Sequence, residues 1–186
     1  MQFKTLASLS ILSILFFTGC DSKTDGEQSN KTDTKKEVTV KKDFVLKTTD
    51  NLDLNVKIQG DKIIFKDYPE KIILLNFFAT WCPPCKAEIP NLVNLQNKYA
   101  NDLKIVSVLL EQDKSNEIIN EFINKYKINY QVTNSDENFA LSTGLGEIKS
   151  IPTMILIDKD STIFQKYVGI VPSEMMEIDI KKILEK

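Results

Sequence analysis

The stretch from Ile72 to Ala79 is apolar at every position except Asn76, and no other segment limits the fold so strongly. A strand that meets water on one face alternates apolar and polar residues; an almost unbroken apolar run of this length belongs to a strand covered on both faces. Thr80-Trp81-Cys82-Pro83-Pro84-Cys85 follows directly. From Lys86 to Tyr99 the apolar positions Ile89, Leu92, Val93, Leu95 and Tyr99 then keep approximate helical spacing. The order is buried strand, tight turn carrying two cysteines, helix.

The flanking sequence extends that order. Segments 43–48 and 52–58 alternate as strands, and 62–66 continues them as an N-terminal β-hairpin region. Leu103 to Leu110 reads as a second buried strand and Ser115 to Tyr126 as a helix with Ile118, Ile119, Phe122, Ile123 and Tyr126 on one face. A short strand at 130–133 and a short helix at 137–141, ending near Gly144, come next. The segments 154–157 and 162–168 make a hairpin, and Pro172 opens a final helix to Leu184 with Met176, Ile180, Ile183 and Leu184 inward. Strands alternating with helices give an α/β fold: a mixed central β-sheet flanked by helices.

Two cysteines three positions apart at a helix start can close a small disulfide. Free amide groups and the helix dipole favour the thiolate of the first, Cys82, and thiolate is the attacking species. Cys85 lies one turn inward, shielded and placed to break a mixed disulfide formed by Cys82. Composition narrows the rivals. Of 186 residues none is His, and all 24 basic residues are Lys. Ser-His-Asp and Cys-His catalysis are excluded, as is any arginine clamp on an anion. Two neighbouring thiolates without His make a poor zinc site, so no metal and no cofactor are expected. A formal net charge of -2 lacks the basic excess of a nucleic-acid binder. A peroxidatic cysteine in a peroxiredoxin-like antioxidant protein shares this architecture, but such enzymes place an Arg beside the sulfur.

The segment Leu74-Leu75-Asn76-Phe77-Phe78-Ala79-Thr80-Trp81-Cys82-Pro83-Pro84-Cys85-Lys86-Ala87-Glu88-Ile89-Pro90 resembles the active-site segment of thioredoxin-like proteins. It is most similar to the membrane-tethered, extracytoplasmic thiol-disulfide oxidoreductases of the TlpA and ResA kind. The resemblance covers about 43–186 and implies a thioredoxin-like fold. Carried over, Cys82 matches the nucleophile, Cys85 the resolving thiol, Trp81 the ring flanking it and Pro90 the proline inside the active-site helix. Ile151-Pro152 matches the cis-proline pair that faces the dithiol and offers backbone hydrogen bonds to substrate. Asn76 stands where ordinary thioredoxins keep a buried Asp, and it cannot titrate. Glu88 then becomes the candidate proton acceptor for Cys85, matching an acid that ResA-like proteins hold near the dithiol; partial burial would raise its pKa. Its alternative role is an acid favoured near a helix N-terminus. The loop 144–150 before Pro152 is less compact than the family's usual one. The long separation of Cys85 and Pro152 fits an added strand-helix (βα) unit before the cis-proline.

The chain's start suggests export. Lys4 precedes an apolar run, Leu6 to Phe17, interrupted only by serines and too short for a bilayer-spanning helix, which needs about 20 residues. Phe17-Thr18-Gly19-Cys20 resembles a bacterial lipobox, which implies a signal peptide over 1–19 and lipidation of Cys20. Residues 21–42 hold only two large apolar side chains, Val38 and Val40, against six Lys and five acids. Residues 20–42 are therefore expected to be the lipidated Cys and a disordered polar tether, with the domain at 43–186. The expected protein is a monomeric, membrane-anchored, exported thiol-disulfide oxidoreductase in the periplasm or its equivalent. It reduces disulfides of exported proteins, with apocytochrome c cysteines as the family's example, and a membrane thiol electron donor restores it. A disulfide oxidase or exchanger, and a lipoprotein that only binds a partner, are the alternatives.

Overall fold

The computed structural model describes residues 42–186. The expected signal peptide (1–19), the expected lipidation site Cys20 and nearly all of the expected tether lie outside the described residues.

Among the described residues two sheets are present. Strands β1 (Asp43–Lys47), β2 (Asp53–Gln59) and β3 (Lys62–Phe65) form an antiparallel three-stranded sheet. The three N-terminal strand segments expected from the sequence are all present, and β2 pairs with both neighbours. The five-stranded sheet has the order β6-β5-β4-β7-β8, from β4 (Ile72–Phe78), β5 (Leu103–Leu109), β6 (Gln131–Thr133), β7 (Thr153–Ile157) and β8 (Ile163–Val168). It is mixed: β4 runs parallel to β5 and β5 to β6, while β7 is antiparallel to both β4 and β8. Parallel neighbours need crossover connections, and α1 (Pro83–Lys98) and α2 (Asn116–Tyr126) supply them. Helix α3 (Glu137–Gly144) follows β6, the two forming the added unit before β7, and α4 (Ser173–Leu184) closes the chain.

All seven residues of the central strand β4 are buried, as its composition requires. Its two faces pack differently. Ile73, Leu75 and Phe77 join Val106, Val108, Ile155 and Ile157 against Phe44, Leu46, Leu54, Val56, Ile63 and Phe65 of the small sheet. Ile72 and Leu74 meet Leu92 and Leu95 of α1 and Met176, Ile180 and Ile183 of α4. Nearer the end of β4, Phe78, Cys82 and Cys85 pack with Leu109, Ile119 and Val132.

Three local expectations are corrected. Helix α1 begins at Pro83, not Lys86, because prolines lack the N–H that a first turn leaves unbonded anyway, and their fixed φ suits that position. Ile118, expected on the inner face of α2, is 51% exposed: it sits in the first turn, where Ser115 caps the helix by accepting from the Ile118 N–H at 3.5 Å. Leu184, expected inward with Met176, Ile180 and Ile183, is only partly buried at the last turn of α4.

Candidate active site

Four residues separate the end of β4 from the start of α1; the last of them is Cys82, and Cys85 lies in the first turn of α1, so both sulfurs sit beyond the C-terminal end of β4. The Cys82 amide donates to the Ala79 carbonyl at 3.2 Å, closing the turn. Cys82 is the N-cap of α1, and its Sγ accepts from the Cys85 N–H at 3.2 Å. Sulfur thus takes the place usually held by a Ser or Asp oxygen. Cys82 and Cys85 are joined by a disulfide, with Sγ atoms 2.06 Å apart.

The two cysteines are equally buried, at 2% and 3% exposure, so shielding does not set Cys85 apart as the sequence suggested. Position does. Cys82 caps the helix and faces Ile151, whose carbonyl oxygen is 3.9 Å from Cys82 Sγ. The Ile151–Pro152 peptide is cis. Its two carbonyls differ: that of Pro152 accepts from the Gly169 N–H at 2.8 Å, and that of Ile151 is turned to the dithiol. Trp81, next to Cys82, is 63% exposed. The loop before Ile151 is tied down more firmly than its sequence implied: Glu147 N donates to the Ser142 carbonyl at 3.0 Å and Ile148 N to Ser142 Oγ at 3.2 Å.

Glu88 lies one turn after Cys85 on the buried side of α1, where residues three apart are neighbours. It is almost fully buried, deeper than expected. Its Oε2 accepts from the Val171 N–H at 3.4 Å, and Oε1 has no hydrogen-bond partner. Burial pushes the carboxyl above the usual carboxylate range, and the Val171 bond only partly offsets that. On the same face of the sheet, Asn76 Nδ2 donates to Ser107 Oγ at 2.9 Å, while Asn76 Oδ1 is unpartnered. Tyr130 is partly buried between the helical-face clusters, and burial, with the nearby Glu88 charge, pushes its pKa up. Pro90, inside α1, denies the Lys86 carbonyl its intrahelical donor.

Sequence reading missed the partners of these groups. Val171 is 83 positions from Glu88, and Glu111, which accepts two hydrogen bonds from Thr80, is 31 positions from it. Nothing in the local sequence marked Glu111, which follows Leu110 just beyond the end of β5. Among the described residues no group of three or more His, Cys, Asp or Glu side chains is placed to hold a metal, and no helix is long and apolar enough to cross a membrane.

A model of the Redoxin family matches residues 31–184. The thiol-disulfide oxidoreductase ResA of Bacillus thuringiensis (strain Al Hakam) is 32% identical over 127 residues, covering 68% of this chain and 71% of ResA. The thioredoxin-like protein YneN of Bacillus subtilis (strain 168) is 29% identical over 186 residues, covering 94% of this chain and 95% of YneN. Among solved structures, StoA from Bacillus subtilis matches with a TM-score of 0.58 at 22% identity, covering 74% of this chain and 96% of StoA, a likeness of fold.

Proposed function

The chain belongs to the Redoxin family and is a thioredoxin-like thiol-disulfide oxidoreductase, and from that premise we propose that it works outside the cytoplasm as a membrane-anchored reductant of protein disulfides. The observation that carries the reading is the pairing of a helix-capping Cys82 with a cis Ile151–Pro152 carbonyl 3.9 Å away. In the reduced state the Cys85 N–H favours thiolate at Cys82, the form that attacks. Cys82 thiolate attacks one sulfur of a substrate disulfide, that bond breaks, and the departing thiolate takes a proton. Cys85 then gives its proton to Glu88 and attacks Cys82 Sγ. The second substrate sulfur leaves and is protonated, and two electrons have passed from the dithiol to the substrate. The disulfide between Cys82 and Cys85 seen here is the product side of that cycle.

Glu88 suits its role because a raised pKa brings a carboxyl closer to that of a thiol. Trp81 and the Ile151 carbonyl bound the surface on which substrate lies. The apolar run Leu6 to Phe17 followed by Cys20 supports export with lipid attachment at Cys20. Cysteines of apocytochrome c before haem attachment are the substrate class proposed. In an oxidising compartment turnover requires a membrane dithiol donor to return the electrons. Replacing Cys85 by Ser in the full chain removes the resolving thiol. That variant is expected to accumulate exported proteins disulfide-linked to Cys82, visible as reductant-sensitive bands. Absence of any such adduct, with a wild-type protein that reduces no model disulfide, contradicts the reading.

A further inference from the structure

Glu111 is the first charged residue after β5, and it reaches the active-site turn from the neighbouring strand. Just past the end of β5 one further bond holds the two chains together, Leu110 N donating to the carbonyl of Phe78, the last residue of β4, at 2.8 Å. That bond brings Glu111 level with Thr80, the second residue of the turn. Thr80 N donates to Glu111 Oε2 at 3.0 Å and Thr80 Oγ1 donates to the same oxygen at 2.6 Å. The other oxygen, Oε1, is 3.2 Å from Lys114 Nζ. Burial of the carboxyl raises its pKa, but the two Thr80 bonds and Lys114 outweigh that and hold it below the usual carboxylate range. An ionised acceptor makes hydrogen bonds about twice as strong as neutral ones.

The turn has few other means of holding its shape. Trp81 is exposed, and Pro83 and Pro84 carry no N–H. Between Ala79 and Cys85 the backbone bonds of Cys82 and Cys85 stay within the turn itself. Beside the apolar packing of Ala79, Cys82 and Cys85 against Leu109, the Thr80–Glu111 pair is the hydrogen-bonded tie that holds the turn sideways to the chain leaving β5.

We propose that Glu111 is a positioning residue for thiol-disulfide exchange, clamping Thr80 so that Cys82 and Trp81 are aimed at the incoming disulfide. The proposal rests on the reading of Cys82 as the attacking sulfur. Attack on a disulfide needs the nucleophile nearly in line with the bond it breaks, and a displacement of the turn is felt in the rate.

The test uses the reduced full chain and a two-cysteine model peptide disulfide, reading the second-order rate constant for peptide reduction. Glu111→Ala is expected to slow reduction about tenfold, the loss of two charge-assisted bonds. Glu111→Gln keeps an amide oxygen that can accept both Thr80 donors and is expected to restore the rate to within about twofold. Thr80→Val removes only the hydroxyl bond and should fall between. A rate for Glu111→Ala within about twofold of wild type overturns the proposal, as does a Glu111→Gln chain as slow as Glu111→Ala, which would make charge rather than the clamp the cause. If Glu111→Ala does not fold, Thr80→Val decides, and an unchanged rate there overturns it. The two readings fail differently: if Cys85→Ser traps no peptide through Cys82, the nucleophile is wrong whatever Glu111 does.

Discussion

Ile73, Leu75 and Phe77 point to one side of β4, and Ile72, Leu74, Asn76 and Phe78 to the other, so a single strand meets two environments. Against the small sheet the packing is mainly apolar, and the buried polar groups beside it are satisfied: Thr153, paired with Phe77, donates to the Ser150 carbonyl, and Thr133, paired with Val108, donates to Asn138 Oδ1. Against the helices the same strand carries Asn76, bonded to Ser107, and lies beneath a buried Glu88 with one oxygen unpartnered. An unsatisfied buried polar group opposes folding by about 1–3 kcal/mol. The dry face therefore supplies stability and the helical face gives some of it up to hold an acid beside the dithiol. Function sits where sheet packing is imperfect.

Substitutions on the two faces should separate stability from chemistry. The largest stability effect is expected on the dry face: Phe77→Ala, a fully buried side chain, should destabilise by about 3–5 kcal/mol in urea unfolding. The exchange rate of the molecules still folded should not change; a specific loss of rate there would break the division between faces.

Glu88→Gln is expected to act in the opposite way. The folded-state pKa of Glu88 is raised, so its protonated form contributes stability that is fully present below the unfolded value and is lost as pH rises through the folded one. A glutamine stays neutral throughout. Its melting temperature should match wild type near about pH 4 and exceed it increasingly toward about pH 8, while resolution of the mixed disulfide slows. A melting difference independent of pH would remove the titrating acid from the account. The smallest effect on stability is expected at the rim. Trp81→Ala should change unfolding by no more than about 0.5 kcal/mol, since the ring is 63% exposed, yet weaken reaction with protein disulfides, as a comparison of KM and kcat would show.

The sequence made the frame legible because its signals are local. The apolar run of β4, the cysteines at the start of a helix and the hairpin of β7 and β8 each lie within a few neighbouring residues. Pro83 and Pro84 were read as turn and lie in helix, since proline marks both a turn and a first helical turn equally well. Ile118 carried the right spacing, but spacing gives no information on where a helix end leaves the core. The chemistry around the dithiol was only half legible. Glu88 was marked as a candidate by the family resemblance at its place after Cys85, but Val171, Tyr130 and Glu111 come from elements distant in the chain, and no local pattern records which distant residues a sheet brings together. The depth of Glu88 follows from packing by α4 and its preceding loop, which periodicity along α1 does not reveal.

Direction of electron flow is the claim on which the rest depends, and the equilibrium reduction potential of the Cys82–Cys85 pair decides it. Titration of the full chain against a glutathione or dithiothreitol redox buffer, read by thiol alkylation, is expected to give a value near thioredoxin's, about -270 mV. A value near about -120 mV would make the protein an oxidant and contradict the reductant reading.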